Sequence, residues 1–141
     1  MNDSYYGVSG AASSYGSLGD AGTSTYGNPA LIPLVGGSGG GGRGWSRGEG
    51  QGHSGCGGGG AILLACGGTL TVSASGKIQA NGGNGRVNGD ANYDYPSGSG
   101  GGIRLVAHTL SGNGIVQALG GLGAYYGGLG RIRIERAANT S

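Results

Sequence analysis

Three stretches of the chain follow one template, and that repetition constrains the fold more than any single motif does. Leu31-Ile32-Pro33-Leu34-Val35-Gly36-Gly37-Ser38-Gly39, Lys77-Ile78-Gln79-Ala80-Asn81-Gly82-Gly83-Asn84-Gly85 and Ile115-Val116-Gln117-Ala118-Leu119-Gly120-Gly121-Leu122-Gly123 each read x-apolar-x-apolar-x-Gly-Gly-x-Gly. Each runs into a glycine-rich segment and emerges in an alternating stretch: Ala61 to Cys66, Ile103 to Ala107, and Arg131 to Glu135. A bridging stretch follows, Thr69 to Ala74 in one unit and His108 to Ser111 in the next.

Period-2 alternation is the signature of strands with one face buried. It places Ile62, Leu64 and Cys66 in one inward column, continued by Ile103, Leu105 and Ala107 and then by Ile132 and Ile134. Ile32/Leu34, Ile78/Ala80 and Val116/Ala118 form a second column, and Leu70/Val72 with Leu110 a third. No segment has a helical period, and its glycine content would oppose one. The expected fold is all-β, a short parallel β-solenoid whose coils carry long, stacked glycine-rich loops. In this reading residues 1–29 are a Ser/Gly/Tyr-rich tail or assembly arm, 30–136 the solenoid domain, and 137–141 a short C-terminal tail.

Composition separates this chain from a disordered one. Forty of its 141 residues are glycine and none is Phe, yet the net charge is only +2 and the apolar residues are clustered. Disordered chains pair low hydrophobicity with high net charge. Eight Lys and Arg against six acids make no basic stripe, so nucleic acid is not an expected partner. No run approaches the roughly 18 apolar residues of a membrane helix, and no signal peptide follows Met1.

The chemistry-bearing residues do not converge. Gly-x-Gly-x-x-Gly spacings are unavoidable here, and none opens a helix after a buried strand. Asp90 and Asp94 do not fall at repeating positions, as a calcium-binding solenoid would require. His53, Cys56 and Cys66 fall one ligand short of a closed zinc site. No loop pairs carboxylates, or a nucleophile with a base. An enzyme, a cofactor and a metal site are therefore not expected. Cys56 and Cys66 flank the end of the first loop as a candidate disulfide, although Cys66 is also read as a small inward hydrophobe.

Aromatic placement is the better lead. Trp45 lies in the first loop, Tyr93 and Tyr95 in the second, and Tyr125 and Tyr126 in the third. Stacked loops would align them as a ladder beside Arg43 and Arg47, suited to a protein interface or to sugar rings. Glycine loops also lose much entropy when ordered, which favours packing against each other or against another copy.

The run from Tyr26 through Gly40, with Gly101-Gly102-Ile103-Arg104-Leu105 and Gly128-Leu129-Gly130-Arg131-Ile132-Arg133-Ile134, resembles a glycine-rich β-solenoid-like repeat domain of large bacterial surface or secreted proteins. The glycine segments are more loosely similar to the glycine-rich adhesin tips of phage tail fibres. The resemblance covers residues 26–136 and implies an extracellular, non-catalytic role in surface structure or adhesion. The expectation is a structural protein that self-associates as a homo-oligomer or filament. The alternative is an adhesive module that binds a surface glycan through its aromatic loops.

Overall fold

The computed structural model describes residues 12–42, 53–86 and 95–136, and these contain strands and extended segments without a helix. Strand β1 is Ala61–Val72, β2 is Lys77–Gln79, β3 is Gly102–Gly112, β4 is Ile115–Gln117 and β5 is Arg131–Arg136. They form two small open sheets, one ordered β1-β3-β5 and the other β2-β4, parallel throughout. In the larger sheet Ile62, Ile103 and Ile132 stand side by side, as do Leu64, Leu105 and Ile134.

The solenoid expectation is overturned. The stretches read as separate exit and bridging strands are continuous in β1 and β3, with a register shift between Cys66 and Thr69. The Leu31 to Val35 stretch is not a strand. Pro29 and Pro33 have no N–H to give a ladder, and Leu31 takes φ 52° and is buried while Ile32 is 55% exposed. The inward columns also shrink. Ile103, Leu105, Ala80 and Ala118 form the buried cluster, with Ile62, Leu70, Ile78, Leu110 and Val116 packed around it. Cys66 is exposed, and Ile132 and Ile134 remain 44% and 46% exposed.

What replaces the third strand of a coil is a bundle of glycine segments. Their backbone bonds recur every third residue: Gly37 and Gly40 donate to Gly59 and Cys56, Cys56 and Gly59 to Pro96 and Ser99, and Gly98 and Gly101 to Gly83 and Ala80. Ser97 and Gly100 donate to Tyr125 and Gly128, and Gly127 and Gly130 to Gly121 and Ala118. Three residues per turn is the period of a polyproline-II-type chain, which makes no internal hydrogen bonds and must find partners on neighbouring chains. A solenoid coil needs period-2 strands at its sides, and these segments have the wrong period to supply them.

The bonds define the arrangement. Segment 95–101 lies at the centre, and Pro96, Ser97, Ser99 and Gly100 in it are buried. In order around it run 12–16, 36–42, 54–60, 80–85, 118–123 and 127–130, each bonded to the next, and 127–130 bonded back to 12–16 through Gly16 N–H to Leu129 and Gly128 N–H to Ser13. Segments 54–60, 95–101 and 127–130 form a middle layer that continues into β1, β3 and β5; 80–85 and 118–123 leave β2 and β4 on one side of it. Residues 36–42 and 12–16 lie on the other side.

Residues 12–22, read from the sequence as part of a tail, are therefore built into the bundle. Ser13 Oγ donates to Ser97 carbonyl at 3.0 Å, and Ser38 Oγ to Ser14 carbonyl at 3.0 Å. Tyr15 is fully buried, its ring 4.9 Å from that of Tyr26 and under the Arg131 guanidinium at 5.4 Å.

Candidate functional site

Antiparallel pairing of 36–42 with 54–60, of 80–85 with 95–101 and of 118–123 with 127–130 brings Gly42 and His53, Arg86 and Tyr95, and Gly123 and Gly127 to one end of the bundle. The two sheets lie at the other. At the end away from the sheets Tyr95 OH and His53 Nδ1 are hydrogen-bonded at 3.1 Å, with ring centroids 4.7 Å apart. Pro96 bridges to Tyr125 in parallel, which sets the start of segment 95–101 beside the turn that precedes 127–130. Tyr126 is 55% exposed there, its N–H held by Asp20 Oδ2 at 2.7 Å. Of the expected aromatic ladder the structure thus brings Tyr95, Tyr125 and Tyr126 to a common end and adds His53. Trp45, Tyr93, Arg43 and Arg47 lie outside the described residues.

The cysteines do not form a disulfide. Both are free: Cys56 is half-buried with its Sγ donating to the Asn84 carbonyl at 3.0 Å, and Cys66 is exposed with its Sγ accepting from Gly68 N–H at 3.3 Å. The inward position expected for Cys66 is overturned because β1 is an edge strand, so its end has no neighbour on one side. Among the described residues no cluster of three or more His, Cys, Asp or Glu could hold a metal ion.

The other exposed feature is the flank of the larger sheet. Among the described residues β1 and β5 each pair on one side only, a geometry that invites pairing with another chain. On β5 the apolar column of Ile103 and Leu105 continues into Ile132 and Ile134, half in water. The opposite face of β5 is charged, and two of its arginine contacts converge on one carboxylate. Arg104 Nε donates to Glu135 Oε1 at 2.6 Å and Arg133 Nε to the same oxygen at 2.8 Å. Hydrogen bonds from Arg104 and then Arg133 hold the Glu135 carboxyl down at about 2. On β1, Leu63 and Leu64 are 52% and 37% exposed.

Sequence reasoning missed Ser13, Tyr15, Ser17 and Asp20. Gly16, Gly19 and Gly22 fall three apart, the spacing of every other bundle segment, and that signal was present in the tail. Comparison with family models, with curated proteins and with solved structures finds no match to the chain.

Proposed function

We propose that this chain is a non-enzymatic structural module of an extracellular or cell-surface assembly, and that it associates with further copies of itself through the open flank of its larger sheet. The observation that carries this reading is the uncovered end of the apolar column, Ile132 and Ile134, in register with residues that are 0% and 1% exposed one strand away. A monomer that stopped there would leave unpaired backbone and apolar surface side by side. The test is light scattering across a concentration series with negative-stain microscopy. The expected result is growth in mass with concentration, lost in Ile134→Lys, which alters a half-exposed side chain and leaves the fold intact. A chain that stays monomeric at every concentration overturns the reading.

A second reading is favoured by one specific feature, the exposed Tyr126 at the same end of the bundle as the His53–Tyr95 pair. Rigid aromatics with hydrogen-bonding neighbours stack well on sugar rings. Glycan retention lost in Tyr126→Ala, with self-association unchanged, would support an adhesive role for that end.

A further inference from the structure

The two flanks of the middle layer are finished differently. Inside the bundle, 54–60 meets 95–101 and 95–101 meets 127–130 by one rule. N–H groups of Cys56 and Gly59 reach Pro96 and Ser99 carbonyls, and those of Ser97 and Gly100 reach Tyr125 and Gly128 carbonyls. Facing the other way, Gly98 and Gly101 lie against the carbonyls of Gly57 and Gly60, and Gly127 and Gly130 against those of Gly98 and Gly101. A side chain at any of these four inner positions would overlap a carbonyl oxygen.

By the same rule the next donors along the layer are Tyr126 and Leu129, and the next glycines to face a preceding segment are Gly57 and Gly60. Tyr126 N–H and Leu129 N–H go instead to Asp20 Oδ2 at 2.7 Å and Ser17 Oγ at 2.8 Å, two side chains three residues apart. The N-terminal segment here substitutes side-chain oxygens for the carbonyls of a missing row. Gly57 and Gly60 meet nothing within 4 Å. Among the described residues nothing requires glycine at either position, yet they are the first-row equivalents of four positions where glycine is sterically required.

We propose that residues 17–20 are a displaceable cap, and that the flank they cover receives the first row and β1 of a second copy. This rests on the self-association proposed above and names its joint. The register follows the two joints already within the chain: Ile132 beside Ile62 and Ile134 beside Leu64 of the incoming copy, with the Gly127 and Gly130 carbonyls entering the space over its Gly57 and Gly60. The occupant is a second copy because its β1 edge carries the same column that β3 already accepts, and because a two-fold pairing of β5 with β5 leaves the open glycines unexplained. The joint is heterologous, and such contacts propagate head to tail.

The test uses the full chain and three variants. Asp20→Ala removes a charged cap acceptor and is expected to lower the concentration of half-assembly by about tenfold, in line with the worth of a hydrogen bond to a charged group. Gly60→Val places a side chain in open space at a residue without a left-handed φ, so the fold is retained, checked by thermal unfolding, while assembly is lost. In the Asp20→Ala background, chains carrying Gly60→Val and chains carrying Ile134→Lys should each be monomeric and should form a discrete one-to-one heterodimer on mixing. Assembly of Gly60→Val at wild-type concentrations, or a dimer of that variant alone, overturns the joint while leaving self-association standing. An Asp20→Ala chain that assembles no more readily than wild type overturns the cap.

Discussion

A side chain on Gly101 would overlap the carbonyl oxygen of Gly60, and that closeness is what lets the middle layer of the bundle exist. The Gly101 N–H meanwhile donates to Ala80 on a third segment at 2.7 Å. Gly101→Ala therefore forces backbone apart in a place where no flexible side chain can yield. The expected cost is about 2–3 kcal/mol, the upper part of the overpacking range. Gly60→Ala, which meets nothing within 4 Å, should stay within about 0.5 kcal/mol of wild type. Urea unfolding of the two variants checks the difference, and equal stabilities would refute the close-packing argument.

Tyr15 offers a second contrast. It is 0% exposed, and its hydroxyl has no hydrogen-bond partner. Burial pushes the phenol pKa up, with the Arg131 charge acting against it. Tyr15→Phe removes an unsatisfied polar atom and keeps the ring against Tyr26, so stability should hold or rise by about 1 kcal/mol. Tyr15→Ala should cost about 3–5 kcal/mol, the range for emptying a buried aromatic site. The same unfolding series reads both.

Acid should act on Glu135. Its folded pKa, about 2, lies below the ordinary 4.5 because Arg104 and Arg133 hydrogen-bond its ionised form. A depressed carboxylate contributes stability above its unfolded pKa, and that contribution is lost as pH falls toward the folded value. The thermal midpoint should therefore fall between pH 4.5 and 2 more steeply in wild type than in Glu135→Gln. Identical slopes in the two would remove Glu135 from the acid response.

The free thiols should separate kinetically. Cys66 is exposed on an edge strand, whereas Cys56 is half-buried against Asn84. Under native conditions a maleimide should label Cys66 first, with Cys56 following on unfolding. Mass mapping of the labelled chain would show the order, and preferential labelling of Cys56 would contradict the burial.

Much of the sheet was legible because apolar alternation reports a period of two directly. Ile103 and Leu105 are buried as that pattern requires, and Ile62, Ile103 and Ile132 align across β1, β3 and β5. Alternation says which residues share a face, but nothing about what covers it. Ile132 and Ile134 share the face of Ile103 and are still exposed, since β5 is the last strand. The glycine segments were legible as segments and not as a bundle. Without side chains there is no amphipathic pattern, so the period of three shows in the spacing of glycines and in backbone bonds, neither of which says which segments are neighbours. At the candidate site, Tyr95, Tyr125 and Tyr126 were legible as loop aromatics, while the pairing of His53 with Tyr95 depends on a contact across 42 residues that no spacing encodes. Segment 12–22 was hidden by its Ser-rich composition, which resembles a solvated tail even though Ser13 bonds Ser97 at the bundle centre.

Hydrogen exchange should resolve the bundle into layers of different permanence. Gly98 and Gly101 N–H groups donate at 3.0 Å and 2.7 Å to carbonyls of segment 80–85 from a segment enclosed on every side. Their exposure requires the surrounding segments to come apart, so they should exchange at the rate set by global unfolding. Tyr126 and Leu129 N–H groups are bonded only to Asp20 Oδ2 and Ser17 Oγ at the surface. Release of residues 17–20 frees both without disturbing the centre, so they should exchange by a local opening and much faster. Asp20→Ala should speed the Tyr126 amide further and leave Gly101 unchanged. A variant in which both amides accelerate together would mean that the N-terminal segment and the bundle open as one unit, and that residues 17–20 hold the core rather than cap it.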